Sequence, residues 1–151
     1  ANRLTAGLQG LEGLSPPVTR DGCRHNFYVW MMKIDEDALG LSRALFSEAL
    51  SAEGFPHATG YVAPLYRLPM FRERIALGRD GWPFTLTDRD YTDLHCPVTE
   101  DMHNRRALLF EPCAYDLSDE DVDAMIAAVR KVHAGRSQLN ANLGPVKGEN
   151  A

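Results

Sequence analysis

Apolar positions along the chain follow two rhythms, and the switches between them predict its elements. Leucines at 4, 8, 11 and 14 recur every three or four residues, the spacing of one helical face, although Gly7, Gly10 and Gly13 weaken Asn2–Leu14 as a helix. Pro16 and Pro17 stop it and open a connector of turn formers through Gly22. His25–Ile34 then alternates with period two, with Phe27, Val29 and Met31 on one face and Tyr28, Trp30 and Met32 on the other. A strand apolar on both sides predicts a central place in a sheet, with helices over one face and further cover over the second. Asp35–Asp37 reads as a turn. The helical rhythm returns with Leu41, Leu45, Phe46, Ala49 and Leu50, behind Ser42 as a candidate N-cap and ahead of Gly54 as a stop.

From Phe55 to Pro83 the period is lost, and Pro56, Pro64, Pro69 and Pro83 punctuate the aromatic residues Tyr61, Tyr66, Phe71 and Trp82. Long ordered loops of this kind are usually functional or covered by a partner surface. Cys96–Arg105 predicts a short helix with Pro97 in its first turn, and Ala107–Glu111 a short strand. The strongest helix signal follows. Ser118 and Asp121 make a capping box, Leu117 and Val122 a hydrophobic staple, and Val122, Met125, Ile126, Val129 and Val132 one apolar face. Acids crowd the start of this helix, and Arg130, Lys131 and His133 sit near its end, as the helix dipole prefers. After Gly135 the small polar residues predict a flexible tail over 135–151.

The 151 residues suit one domain, and an apolar share of 44% with 25% charged is that of an ordinary globular chain. A net charge of -5, without any basic run, argues against nucleic acid as a partner, and no apolar stretch is long enough for a membrane span. The first residues lack the basic and apolar regions of a leader, so a cytoplasmic location is expected. Cys23, Cys96 and Cys113 are odd in number and form no CxxC pair, which fits a reducing compartment and suggests neither a disulfide framework nor structural zinc.

Self-contained catalysis finds little support. No phosphate-cradling glycine motif, GxSxG or HExxH is present, and the five histidines show no pair at the spacing of a helical metal site. Of these histidines His57 stands out, because it opens the aromatic loop; a purely local hydrogen bond is its plainer role. The three lysines, Lys33, Lys131 and Lys147, fall at a strand end, on a helix exterior and in the tail, where nothing would desolvate an amine into a Schiff-base former.

The stretches HNFYVWMMKID, SRALFSEALSAEGF, GYVAPLYRLPMF, CPVTEDMHNRRALLFEP and LSDEDVDAMIAAVRKV occur in that order. Together they resemble, over about Arg3–His133, the C-terminal small domain of the DegT and StrS type sugar aminotransferases. The resemblance implies an α+β fold, a small and mostly antiparallel sheet with helices packed on one face, in which residues 1–14 end a linker helix and residues 1–134 form the domain. It implies a parent enzyme of fold-type I that uses pyridoxal phosphate, works as a homodimer, and aminates a nucleotide-linked keto sugar or a keto cyclitol. The missing N-terminal large domain would supply the aldimine lysine, the acid facing the pyridine nitrogen and the phosphate-binding hydroxyls. This chain, which opens on Ala1, would then be a fragment, inactive alone and holding no cofactor, with Leu4, Leu8 and Leu11 left without their natural cover. On the match, GYVAPLYRLPMF faces the cleft between the domains, making Tyr61, Tyr66 and Arg67, with His57 just upstream, candidates for substrate contact. Tyr66 packing only on its flanking prolines, and Arg67 pairing only with a surface carboxylate, are the structural alternatives. A stand-alone binding module using the aromatic loop, or a structural subunit completing another chain's site, are the competing classes of function.

Overall fold

The structure, a computed structural model, describes residues 1–143. In chain order these form helix α1 (Asn2–Leu8), strand β1 (Leu14–Ser15), strand β2 (Trp30–Ile34), helices α2 (Glu36–Leu39) and α3 (Arg43–Ala52), and strand β3 (Ala58–Thr59). Helices α4 (Pro69–Arg72) and α5 (Pro97–Asp101), strand β4 (Ala107–Phe110), and helices α6 (Asp119–Ala134) and α7 (Arg136–Leu143) complete the series. The strands make one antiparallel sheet in the order β1-β2-β4-β3, with Trp30 opposite Phe110 and Lys33 opposite Ala107 at its centre. The chain is therefore α+β, and β2 lies between two neighbours as its sequence predicts.

Alternation along β2 sends Trp30, Met32 and Ile34 to one face of the sheet, where all three are fully buried. Leu108 and Phe110 of β4 join them, and α1, α3 and α6 close over this layer with Leu4, Leu8, Phe46, Leu50, Met125 and Val129. Full burial of a side chain of this kind contributes about 1.5–3 kcal/mol, so this layer is the main source of stability. The Trp30 indole N–H, which burial would otherwise leave unpaired, donates to Thr5 Oγ1 at 2.9 Å. Leu4 and Leu8 are thus covered by their own chain, and Leu11 packs at the core margin, contrary to the expectation of an orphaned stripe.

Two elements are shorter than the pattern predicts. α1 ends at Leu8, because Gly10 and Gly13 both take left-handed conformations (φ 77° and 75°), and Leu14 passes to the edge strand β1. A Cβ on Gly13 would also lie 2.5 Å from the Leu39 amide nitrogen. β2 begins five residues after His25, since His25 Nδ1 and Asn26 Oδ1 accept the backbone N–H groups of Phe27 and Tyr28, and Phe27 is left-handed at φ 52°. One stretch is more ordered than expected. α7 continues the chain past Gly135 as a helix, where a flexible tail was predicted, because Leu139 returns to the core margin. The rest of that predicted tail, 144–151, lies outside the described residues. Asp35–Asp37, predicted as a turn, leads into α2 with Asp35 as its N-cap.

Long-range ties from arginines set the helices in place. Arg3 of α1 grips Asp123 of α6 with Nε and Nη2, at 2.7 and 2.6 Å, and reaches Asp119 with Nη1 at 3.1 Å. Arg130 donates twice to the Gly7 carbonyl, satisfying the open end of α1. Arg43 spreads its guanidinium over the carbonyls of His103, Asn104 and Ala107, fixing the wide turn Met102–Arg106 between α5 and β4.

Candidate functional site

The sheet face away from the helices is only partly covered. It presents Met31 and Lys33 of β2 and Leu109 of β4, bordered by Tyr28, the 61–64 loop and α5. Three hollows meet there. A groove of about 880 Å³ runs along Pro16, Pro17, Tyr28, Met31 and Lys33. A second hollow, of about 370 Å³, lies between Val62, Val98, Met102 and Leu109, and a third, of about 450 Å³, between His57, Ala58, Glu111 and Tyr115. Tyr61 borders all three, with 56% of its surface exposed. It sits there because Gly60 turns left-handed (φ 66°) against the His103 ring at the end of β3. The Tyr28 hydroxyl is held above its ordinary pKa by its closeness to the Tyr61 hydroxyl and by the negative charge of Glu111.

The other candidates from the loop divide between two places. His57 is half-buried on the α3 side, with Nε2 2.7 Å from Ser47 Oγ and Nδ1 2.8 Å from the Phe55 carbonyl. Both ring nitrogens are engaged locally, although the residue lines a hollow with Tyr61. Tyr66 and Arg67 form the short turn Leu65–Arg67 and meet Glu100 of α5. The buried Tyr66 donates its hydroxyl to Glu100 Oε1, and Arg67 Nη2 stands 3.3 Å from the same oxygen. Burial first, then the bond to Glu100, raises the Tyr66 pKa; Glu100 is held below the usual carboxylate range by Tyr66, the Cys96 N–H and Arg67.

Sequence reasoning passed over three residues of this region. Tyr28 was legible as an apolar position and not as a surface one, since its exposure follows from the turn at Phe27. Glu100 lies inside the CPVTE stretch, but its partners are 34 residues away for Tyr66 and similarly remote for Arg67. Met31 reads as core in any alternating strand, and only the packing of the helices on the opposite face of the sheet leaves it at the surface.

Beyond Tyr66, residues 69–92 build a lobe of their own. Phe71, Phe84 and Tyr91 pack at centroid distances of 5.6 to 5.9 Å, and Arg74 donates to the carbonyls of Phe84, Thr87 and Arg89. Among the described residues there is no cluster of three or more His, Cys, Asp or Glu able to hold a metal ion, and no helix is long and apolar enough to cross a membrane.

No family model matches the chain. It is 24% identical over 135 residues to the spore coat polysaccharide biosynthesis protein SpsC of Bacillus subtilis, a match that covers 89% of this chain and 31% of SpsC. The crystal structure of the aminotransferase TlmJ from Streptoalloteichus hindustanus superposes on it with a TM-score of 0.60 and 19% identity, over 90% of this chain and 30% of TlmJ. The chain thus spans less than a third of either protein, and both fit its resemblance to the C-terminal small domain of a DegT/StrS-type aminotransferase.

Proposed function

We propose that the chain is the C-terminal small domain of a pyridoxal-phosphate aminotransferase that aminates a nucleotide-linked keto sugar or a keto cyclitol. The observation that carries this reading is the likeness of nearly the whole chain to part of an aminotransferase, joined to a relative from polysaccharide biosynthesis. Residues 1–134 form the domain in this reading, and the parent enzyme is a cytoplasmic homodimer whose N-terminal large domain faces the open side of the sheet. Bound pyridoxal phosphate supplies an electron sink for amino transfer. The described lysines do not fit it: Lys131 Nζ pairs with Glu53 at 2.8 Å on the exterior of α6, and Lys33 is exposed on the open sheet face. The cofactor is therefore assigned to the large domain.

What this domain contributes is binding and shielding. Tyr61 offers an exposed ring face and a hydroxyl where three hollows join, which suits stacking on a sugar or cyclitol ring. Arg67, about half exposed, has N–H groups left for an anionic part of the substrate. His57 and Tyr66, whose polar atoms are engaged within the chain, hold the two ends of the loop that carries Tyr61. The test is to purify the full-length gene product with pyridoxal phosphate and offer it keto sugar nucleotides and keto cyclitols with a panel of amino acids. Formation of an amino sugar or aminocyclitol is expected, and Tyr61→Ala should reduce kcat/KM about tenfold or more, the scale of one aromatic contact. Absence of any amino product across the panel would count against the reading.

A further inference from the structure

One carboxylate oxygen collects several donors at the seam between the loop and α5. Glu100 Oε1 accepts the Tyr66 hydroxyl and the Cys96 N–H (3.2 Å), and lies 3.3 Å from Arg67 Nη2 and 3.7 Å from His95 Nδ1. Tyr66 and Cys96 supply neutral bonds that anchor the carboxylate from two sides. Glu100 is consequently less free than an ordinary surface acid, with its side chain 21% exposed. Arg67 is held to Glu100 by charge, its guanidinium 5.7 Å from the centre of the Tyr66 ring and 45% exposed. An arginine fixed at one nitrogen and open at the others is oriented toward solvent at low entropic cost, as binding of an anion requires.

We propose that Glu100 is a positioning residue that holds Arg67 ready for the diphosphate of a nucleotide-linked substrate. The inference rests on the proposed function for its setting, but its test is direct binding of UDP and dTDP to the full-length protein, which needs no turnover. Glu100→Gln keeps an acceptor for Tyr66 and Cys96 while removing the charge that holds Arg67. It is expected to weaken UDP binding about tenfold, with the thermal midpoint little changed. Arg67→Ala should cause a similar loss, the double variant should lose no more than Arg67→Ala alone, and Glu100→Asp should recover part of the affinity. The inference is overturned if Glu100→Gln binds UDP like the wild type, if the two losses multiply, or if the wild-type protein binds neither nucleotide. A wild-type enzyme that transaminates yet ignores both nucleotides would overturn this assignment and leave the proposed function standing. A protein that binds them through Arg67 and Glu100 yet transaminates nothing would do the reverse.

Discussion

Gly7 occupies a helical position at which alanine would ordinarily be favoured by ~1 kcal/mol. Here the neighbouring helix decides otherwise, because a Cβ on Gly7 would come within 2.4 Å of Ile126 Cδ1 and 2.8 Å of its Cγ1. Gly7→Ala must therefore push α1 away from α6 or force Ile126 off its rotamer. The expected result is a loss of about 1–3 kcal/mol in denaturant unfolding, as in other overpacked cores. A gain in stability would mean that Ile126 swings clear. The ion pair at the other end of the same helix contact acts through pH. The bond from Arg3, then its charge, holds the Asp123 carboxyl below its ordinary value of 3.8. With the folded pKa depressed, the stabilisation is fully present above that ordinary value and is lost as the pH falls through the lower, folded one. Thermal unfolding across about pH 2–5 should show a midpoint that declines on acidification, less steeply in Asp123→Asn. Equal slopes in the two proteins would remove Asp123 from the account.

Among the elements, those whose ends are closed by near neighbours in the chain are the ones legible in the sequence. Ser42 accepts the Leu45 N–H, and Ser118 and Asp121 close a reciprocal box; both helices begin where those caps predict. The α+β fold class followed from the resemblance that the five stretches carry in order, while apolar alternation and helical spacing located the individual elements within them. What could not be read depends on atoms far away in sequence. Nothing near Leu139 says that it will reach the core, and nothing around His25 shows that side-chain acceptors will turn the chain before Trp30. Of the candidate site, Tyr61 and Arg67 were found through composition and resemblance, while Glu100 and Tyr28 needed the fold to bring their partners together. Arg43 belongs to the same class, since its acceptor carbonyls lie 60 or more residues further on. Those charge-assisted bonds close the element end beside the Arg105–Glu36 and Arg106–Asp101 pairs, and burial pushes the Arg43 pKa down without removing its charge. Arg43→Ala is expected to cost about 2 kcal/mol and to speed proteolysis around Asn104. An unchanged cleavage pattern would show that β4 pairing and the ion pairs of Arg105 and Arg106 hold the turn without Arg43.

At the scale of the whole molecule, the helices that build the core all pack on one side of a narrow sheet. Tyr28, Met31, Tyr61, Val62 and Val98 consequently stand exposed on or beside the other side, and they adjoin one another through the groove and the α5 hollow. Contiguous apolar surface of this kind tends to find cover. The proposed large domain would provide it in the parent enzyme, and when the 151-residue chain is prepared alone the available cover is another copy. We therefore expect reversible self-association through the sheet face and not through α1, whose leucines are already buried. Sedimentation over a wide concentration range should give a weight-average mass that rises with concentration. Met31→Lys combined with Val62→Lys should shift the chain toward monomer while leaving its unfolding transition in place, because both side chains point away from the core layer. A Leu8→Ala variant separates the two surfaces: it should destabilise the fold by about 2–5 kcal/mol through the cavity it opens, without relieving association. If the double lysine variant associates as strongly as the wild type, the contact lies elsewhere, and the exposed lobe with Leu77, Trp82 and Leu86 becomes the next surface to change.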